Sequence, residues 1–305
     1  MIISASRRTD IPAFYSEWFF ARLKEGHALI PNPRNPNRLS RVELSPENVD
    51  CIVFWTKNPI PMLDSFEQLD EMGYRYYVQF TLTPYEKTVE ANLPLKTELI
   101  KAFIKMSERK NAVVWRYDPI FIDDRHSVEW HITQFSAMCE ALSSHAERCF
   151  LSFVDPYKSI GIKFRALTTD EMQAISAGFS GIARQHGITL YTCAEQIDLS
   201  GYGIAHGSCI DKNLIERIIG SSINAKNDAS QRTECRCIES VDIGAYDTCP
   251  NGCAYCYAVS SQKTLLHHID AHDPNAPMLT GYPEGNEIVT NRTTPSQKEN
   301  QMSLF

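Results

Sequence analysis

The sequence has 305 residues, of which 43% are hydrophobic and 22% are charged, and its formal net charge is −7. That composition suits a soluble globular protein, and the negative charge argues against a protein that coats nucleic acid through bulk electrostatics. No apolar run reaches roughly 20 residues and no signal-peptide pattern is present, so we expect a cytoplasmic protein without membrane contact and with reduced thiols.

The first two-thirds of the chain alternates short apolar stretches with longer segments of helical spacing. The apolar stretches are rich in β-branched and aromatic residues and predict six strands, at 1–6, 51–56, 76–83, 112–117, 149–154 and 188–193. The spacing between and after them predicts helices over 14–25, 62–72, 93–110, 128–142, 168–185, 211–219 and 260–269. Strands that alternate with helices form parallel sheets, so we predict an α/β fold.

A polar cluster follows each predicted strand, and proline marks four of the strand ends, at Pro59, Pro84, Pro119 and Pro156. These clusters meet at the carboxyl edge of the sheet, which holds the active site in α/β proteins. The charged residues there are our substrate-binding candidates: Arg7, Arg8, Asp10, Lys57, Arg116, Asp118 and Asp155. The four cations among them could form a pocket for a carboxylate or a phosphate. The charges could instead brace the mouth as ion pairs, Arg8 with Asp10 and Arg116 with Asp118.

The chain changes character after residue 221, where a polar segment leads to three closely spaced cysteines. Cys249, Cys253 and Cys256 are separated by three and then two residues. Thiolates at this spacing can hold one inorganic cluster, and a four-iron cluster bound by three cysteines keeps one iron free of protein ligands. The alternatives are a zinc knuckle or a structural cluster with a fourth ligand such as Cys235 or Cys237, and buried thiols without metal.

This spacing, with the aromatic Tyr255 before the third cysteine, resembles the motif of the radical S-adenosylmethionine superfamily. The resemblance implies a partial (β/α)6 barrel of the TIM type, a [4Fe-4S] cluster on Cys249, Cys253 and Cys256, and S-adenosyl-L-methionine bound at the open iron. It also implies that Tyr255 lies near the adenine, and we assign Glu195, after the sixth strand, as a second cofactor contact. The electron would come from a reductant such as flavodoxin or ferredoxin.

The place of the motif is unusual, because most of the superfamily carries it after the first strand and this chain carries it after all six. The whole arrangement resembles an uncharacterised domain-of-unknown-function family through the blocks SASRRTDIP, FWTKNP, WRYDPI, TCAE and CPNGCAYCYA, across roughly residues 1–260. The cysteine segment is also similar to that of spore photoproduct lyase, which points to a nucleotide or a DNA lesion as substrate.

Four further cysteines precede the motif and could hold a second iron–sulfur cluster or a zinc ion: Cys193, Cys209, Cys235 and Cys237. The alternative is that Cys193 and Cys209 are small buried apolar residues. The remaining cysteines fall in strand or helix patterns and are predicted core residues: Cys51, Cys139 and Cys149.

The tail from residue 272 is rich in proline, asparagine, threonine and glycine, so we expect a loose or disordered segment. It ends in the pentapeptide QMSLF, which resembles the bacterial sliding-clamp-binding motif. That resemblance implies that Gln301, Leu304 and Phe305 dock in a pocket of the clamp. The alternatives are packing onto the protein's own surface and a chance match.

These observations predict three segments. They are a (β/α)6 barrel over 1–221, a cysteine-rich iron–sulfur segment over 222–262 packed on the barrel mouth, and a tail over 263–305. The predicted function is that of a radical S-adenosylmethionine enzyme of unknown substrate, whose cluster generates a 5′-deoxyadenosyl radical. The alternative is a non-catalytic iron–sulfur or zinc-binding protein with a ligand-binding barrel.

Overall fold

The fold is given by a computed structural model, which describes residues 1–109, 113–155, 164–292 and 295–299. Its strands are β1 (Ile2–Ala5), β2 (His27–Asn32), β3 (Asn35–Glu43), β4 (Cys51–Thr56), β5 (Tyr76–Thr81), β6 (Val113–Ile120), β7 (Arg148–Phe153), β8 (Thr189–Thr192), β9 (Ala205–His206), β10 (Val241–Asp242) and β11 (Ile288–Arg292). Its α-helices are α1 (Ile11–Phe14), α2 (Ser16–Glu25), α3 (Phe66–Glu71), α4 (Lys96–Ser107), α5 (Val128–Leu142), α6 (Thr169–Gln185), α7 (Lys212–Ile219) and α8 (Gln262–Ala271). Short 3-10 helices cover Ile60–Ser65 and Ser200–Tyr202.

Eight strands form one parallel sheet in the order β10-β1-β4-β5-β6-β7-β8-β9. The six central strands are the six predicted from the sequence, so the α/β class and the parallel sheet are confirmed. The edge strands β9 and β10 were not predicted, because two residues carry no measurable periodicity. This strand order is common to open sheets and to partial barrels, so the barrel stays a prediction.

The helices lie close to their predicted positions because their ends are marked by caps. The Thr168 hydroxyl accepts from the backbone N–H of Glu171, and the Glu171 side chain accepts from the backbone N–H of Thr168, which fixes the start of α6. The Asp211 carboxylate caps α7 by accepting from the backbone N–H groups of Asn213 and Leu214, and Gly220 in the left-handed conformation ends the helix. The predicted helix over 14–25 is broken at Tyr15 into α1 and α2.

Both faces of the large sheet are buried, as apolar strand sequences predict. In β4, Ile52 and Phe54 pack in the larger core, which the helices α1 to α6 cover. Cys51 and Val53 point to a second core that contains Ile215 of α7 together with Cys209, Cys237 and Ile238. Part of the cysteine-rich segment therefore packs against the sheet itself, in addition to supplying β10. The predicted core cysteines Cys51, Cys139 and Cys149 are all buried.

A second, three-stranded sheet in the order β11-β3-β2 was not predicted. Prolines in β2 and β3, such as Pro31 and Pro36, weakened the strand pattern in the sequence. The tail is more ordered than predicted, because β11 pairs with β3 and the backbone N–H of Gln297 donates to Asp50 at 2.8 Å. No helix in the described ranges is long and apolar enough to cross a membrane. The division into three segments stays a prediction.

Proline marks the strand ends less strictly than predicted. Pro59 and Pro84 follow the ends of β4 and β5, but Pro119 lies inside β6, where the pairing with β7 shifts between Tyr117 and Ile120. A proline at such an irregularity removes no regular ladder hydrogen bond. Pro156 lies outside the described residues.

Candidate functional site

A cavity of about 990 Å³ opens at the carboxyl edge of the large sheet. Residues that follow β1, β4, β7 and β8, and residues in the last part of β6, line it, as expected for a site built from strand ends. All seven predicted substrate-binding residues are among its lining: Arg7, Arg8, Asp10, Lys57, Arg116, Asp118 and Asp155. The three cysteines of the motif and the four further cysteines line the same cavity. The fold therefore brings together residues that are up to about 250 positions apart in the sequence.

The loop that carries the three motif cysteines is fixed to the segment after β5. The side chain of Asn92 donates to the carbonyl of Pro250 at 2.8 Å, and the backbone N–H of Ala254 donates to that of Val89 at 2.8 Å. Gly252 has a φ of 66°, and a Cβ there would lie 3.1 Å from the Asn92 side-chain nitrogen. The positive φ therefore favours glycine here, and a larger residue would also need the Asn92 side chain to shift.

Backbone N–H groups of this loop point at the motif sulfurs. Burial raises the pKa of the Cys249 and Cys256 thiols, and the backbone N–H of Asn251 at Cys249 and those of Ala258 and Val259 at Cys256 oppose that rise. Burial is the leading influence on Cys253 and raises the pKa of its thiol, while the nearby Lys57 ammonium opposes that rise. Donors and a cation around grouped sulfurs are the features that stabilise thiolates.

Behind the loop, Glu90 forms a buried charge network. Its carboxylate accepts from Lys57 at 3.0 Å, from Thr83 at 2.9 Å, and also from Lys96 and the Tyr255 hydroxyl. Burial opposes the ionisation of Glu90, but the two ammonium groups outweigh it and lower the pKa of the carboxyl to about 2. The hydroxyl of Tyr255, our predicted adenine contact, is thus engaged with Glu90, while its residue still lines the cavity.

Asp10 is a positioning residue in this arrangement. Its side chain accepts from the Thr56 hydroxyl at 2.7 Å, the Lys57 N–H at 2.8 Å, the Ala13 N–H at 3.1 Å and the Asn251 amide at 3.1 Å. These bonds join the ends of β1 and β4 to the cysteine loop. Four protein donors occupy the carboxylate, so this geometry favours a role in holding the loop over direct substrate contact.

Asp242 on β10 holds the segment after β1 in place through hydrogen bonds. Its carboxylate accepts from the hydroxyls of Ser4 at 2.8 Å and Ser6 at 2.6 Å, and from the N–H groups of Arg7 at 2.8 Å and Gly244 at 3.0 Å. The edge strand β10 is therefore tied to β1 by side chains as well as by its ladder. This places the start of the cysteine loop beside the arginines.

The four predicted cations do not share one free anion pocket. Arg116 pairs with Asp118, as predicted, while the predicted pair of Arg8 with Asp10 is wrong: Arg8 donates to the carbonyl of Gly244 and lies 4.0 Å from Asp242. Asp10 is unavailable to Arg8 because other donors surround it. Arg7 lies over the ring of Trp55 at 5.1 Å. At the opposite rim, Asp155 pairs with Arg232 at 2.5 Å.

Glu195 lies outside the described lining of the cavity. It accepts from the Ser152 hydroxyl at 2.8 Å and the Phe153 N–H at 2.9 Å, so it braces the end of β7. Burial, with Asp155 and Asp118 nearby, raises the pKa of Glu195 to about 7. This placement does not favour the direct cofactor contact that we predicted for it.

The four further cysteines meet at one point. The Cys209 thiol lies 2.8 Å from the Cys193 sulfur, and Cys237 is within hydrogen-bond reach of Cys193, Cys209 and Cys235. Arg116 donates to the Cys209 sulfur at 2.6 Å. The predicted grouping of these residues is therefore present in the structure.

Buried polar atoms without partners concentrate at the cavity. Seven such side-chain atoms occur in the described part of the chain, and five belong to cavity-lining residues: Arg7 Nη2, Thr9 Oγ1, Ser240 Oγ, Asn251 Oδ1 and Gln297 Oε1. Unsatisfied buried groups are rare in proteins because each carries an energetic penalty. Their position favours a polar ligand that supplies the missing hydrogen bonds.

Comparison with known proteins assigns a family. A family model described as Domain of unknown function (DUF1848) matches residues 2–258. The chain belongs to this family. The match confirms the resemblance drawn from the sequence blocks, which covers nearly the same residues.

Two other comparisons add little to the family assignment. No curated protein matches the chain. A solved structure from Bacteroides thetaiotaomicron, assigned as an α-L-fucosidase, matches with 12% identity over 51% of this chain and 68% of its own, at a TM-score of 0.27. That likeness is too weak to support an argument about fold or function.

Two carboxylates of this family member were missed by the sequence reasoning, the buried Glu90 and the partly buried Asp242. Glu90 lies in an irregular segment after β5 where no pattern marks it. Asp242 interrupts the short apolar run VDI, and that polar position inside a run was a usable signal. The predicted clamp-binding residues Gln301, Leu304 and Phe305 lie outside the described residues.

Proposed function

We propose that this protein is a radical S-adenosylmethionine enzyme, with Cys249, Cys253 and Cys256 as the ligands of a [4Fe-4S] cluster. The observation that supports this most is the position of the three sulfurs on a tightly fixed loop, in the same large cavity as the strand ends. An inert zinc knuckle has no need of a cavity of this size, whereas a cofactor and a substrate do.

The residues fit such a cluster. Three thiols share the loop, backbone N–H groups donate to the Cys249 and Cys256 sulfurs, and Lys57 compensates charge near Cys253. The other four cysteines of the cavity contact one another, which keeps them from acting as a fourth ligand. A cluster held by three cysteines supplies an open iron for S-adenosylmethionine and the electron that cleaves it.

The chain's own side chains would hold the organic ligands. The unpartnered Nη2 of Arg7 is suited to a carboxylate or a phosphate, and the Trp55 ring beneath holds that guanidinium in place. Asp10 and Glu90 would keep the loop and Tyr255 in place through their hydrogen bonds. The presence of an unpartnered arginine nitrogen among other buried polar atoms without partners favours an anionic, polar substrate, and we propose a nucleotide or a damaged nucleotide in DNA.

We also propose that the six central strands and their helices curve into a partial (β/α)6 barrel. Strand ends from β1 to β8 share one cavity, which is the arrangement of such a barrel. The segment after residue 221 then enters from the second face of the sheet and delivers the cysteine loop to the mouth.

The test is cleavage of S-adenosylmethionine by anaerobically reconstituted protein. With dithionite in place of a flavodoxin or ferredoxin, we expect a brown protein that releases 5′-deoxyadenosine. The Cys253→Ala variant should release none, while the matched Cys139→Ala variant, which removes a buried thiol away from the cavity, should remain active. A colourless wild-type protein with bound zinc and no 5′-deoxyadenosine would support the non-catalytic metal-binding alternative instead.

A further inference from the structure

We propose that Cys193, Cys209, Cys235 and Cys237 bind a single divalent metal ion, zinc, in a tetrahedral tetrathiolate site. This site is separate from the motif cysteines, and the inference does not depend on the proposed radical chemistry. Four thiolates around one ion is the standard arrangement of structural zinc sites.

Backbone hydrogen bonds hold Cys193, Cys209 and Cys237 where their sulfurs approach one another. The N–H of Cys193 continues the ladder beyond β8 by donating to Leu151 at 3.3 Å. The carbonyl of Cys209 accepts from the side chains of Tyr77 and Gln79, each at 2.6 Å. The carbonyl of Cys237 accepts from the N–H of Asp228 at 2.9 Å. Three separate stretches of chain are thus fixed around a common point.

Two arginine guanidinium groups supply positive charge beside the four sulfurs. Arg116 is 6% exposed, and its guanidinium donates to the Cys209 sulfur at 2.6 Å as well as to Asp118. Arg7 lies near enough to Cys237, Cys209 and Cys235 to interact with their charges. A tetrathiolate zinc site carries a net charge of about −2, which two guanidinium groups balance. Asp118 offsets part of the Arg116 charge, and the remaining positive charge beside the sulfurs favours thiolates over neutral thiols.

The distance between the sulfur atoms indicates what the site can hold. Sulfurs bound to one zinc ion stand about 3.8 Å apart, given tetrahedral geometry and zinc–sulfur bonds of about 2.3 Å. The Cys193 and Cys209 sulfurs are closer than this, at 2.8 Å. No group of three or more Cys, His, Asp or Glu side chains in the described ranges is arranged as metal ligands, so the Cys193 and Cys209 sulfurs would move apart by about 1 Å on binding zinc. Closely spaced sulfurs suit a single metal ion, because the cysteine sulfurs around a four-iron cluster lie much farther apart.

The bound zinc ion would cross-link the cysteine-rich segment to the chain around β9. Cys193 and Cys209 flank β9 at one edge of the sheet, and Cys235 and Cys237 precede β10 at the opposite edge. Metal bonds between these two parts would hold the segment across the second face of the sheet. They would thereby fix the approach of the chain to the motif loop.

The test uses the full chain with the motif cysteines removed. The Cys249→Ala/Cys253→Ala/Cys256→Ala protein, expressed with added zinc, should contain about one zinc ion per chain by elemental mass spectrometry. Replacement by cobalt should give the visible absorption of tetrahedral thiolate coordination. Adding Cys235→Ala and Cys237→Ala should abolish the zinc, while adding Cys139→Ala should not.

A second measurement covers the case in which the five-fold variant does not fold. On the folded three-fold variant, a thiol-reactive mercurial should release the zinc in step with modification of four thiols. Four freely reactive thiols without metal would overturn the inference, as would a disulfide between Cys193 and Cys209. Iron with acid-labile sulfide in this variant would also overturn it, because a cluster would then occupy the site.

Discussion

Glu90 is the residue on which the charge balance behind the cysteine loop depends. Its side chain is 1% exposed, and the side chains of its partners Lys57 and Lys96 are 16% and 27% exposed. Glu90→Gln leaves two ammonium groups together without a counter-charge, so we expect a loss of about 3 kcal/mol in the free energy of unfolding. Urea denaturation at neutral pH measures this loss. The control Glu43→Gln removes an exposed pair with Arg41 and should change that free energy by less than about 1 kcal/mol.

The pH dependence of that loss provides a further check. The pKa of Glu90 is about 2 in the folded protein, below its ordinary value of 4.5. A lowered carboxyl pKa stabilises the fold above the ordinary pKa, and this contribution is lost as the pH falls from 4.5 through about 2. The difference between wild type and Glu90→Gln should therefore shrink on acidification. An equal difference at pH values of about 6 and about 3.5 would contradict the assignment of the effect to this carboxylate.

At the scale of elements, the two-residue strand β10 depends on Asp242. Its ladder with β1 has only the pairs Ile3–Val241 and Ser4–Asp242, so the four hydrogen bonds to the carboxylate supply much of its attachment. Asp242→Asn turns an acceptor-only group into one with an amide that faces donors. We expect local opening of β10 to become easier by about 2 kcal/mol.

Hydrogen exchange followed by mass spectrometry measures this opening. Peptides over residues 239–258 should exchange faster in Asp242→Asn, while those over β5 should not change. The exposed substitution Asp64→Asn is the control, since its side chain is 92% exposed. Unchanged exchange over 239–258 would show that β10 is held by other contacts.

At the scale of the whole molecule, the terminal pentapeptide predicts recruitment by a partner. We expect the full chain to bind the bacterial sliding clamp, with Leu304 and Phe305 in an apolar pocket of the clamp. Phe305→Ala should weaken binding at least about tenfold, because a buried aromatic side chain commonly dominates such a contact. Lys298→Ala, outside the pentapeptide, is the control. Equal affinities of the two variants, measured by surface plasmon resonance, would show that the pentapeptide does not bind the clamp.

The sequence predicted the strands and the clustering of polar residues at their ends because both are local properties. An apolar run such as CIVFWT has the same preference wherever its neighbours lie, and parallel strands necessarily bring their ends to one edge. The pairings between charges were harder to predict. Arg116 with Asp118 is local and was found, whereas Arg8 with Asp10 was wrong because Asp242, more than 230 residues away, takes that place. Glu90 was missed because its partners are defined only by the folded chain.

By itself, the sequence determined the α/β class, the six central strands, and the spacing of the cysteine motif, since each rests on residues close together along the chain. The tertiary structure alone decided that seven cysteines share one cavity, that four of them converge, and that β10 closes against β1. The physical reason is that short-range preferences fix secondary structure, whereas contacts between distant residues depend on how the strands are ordered in the sheet.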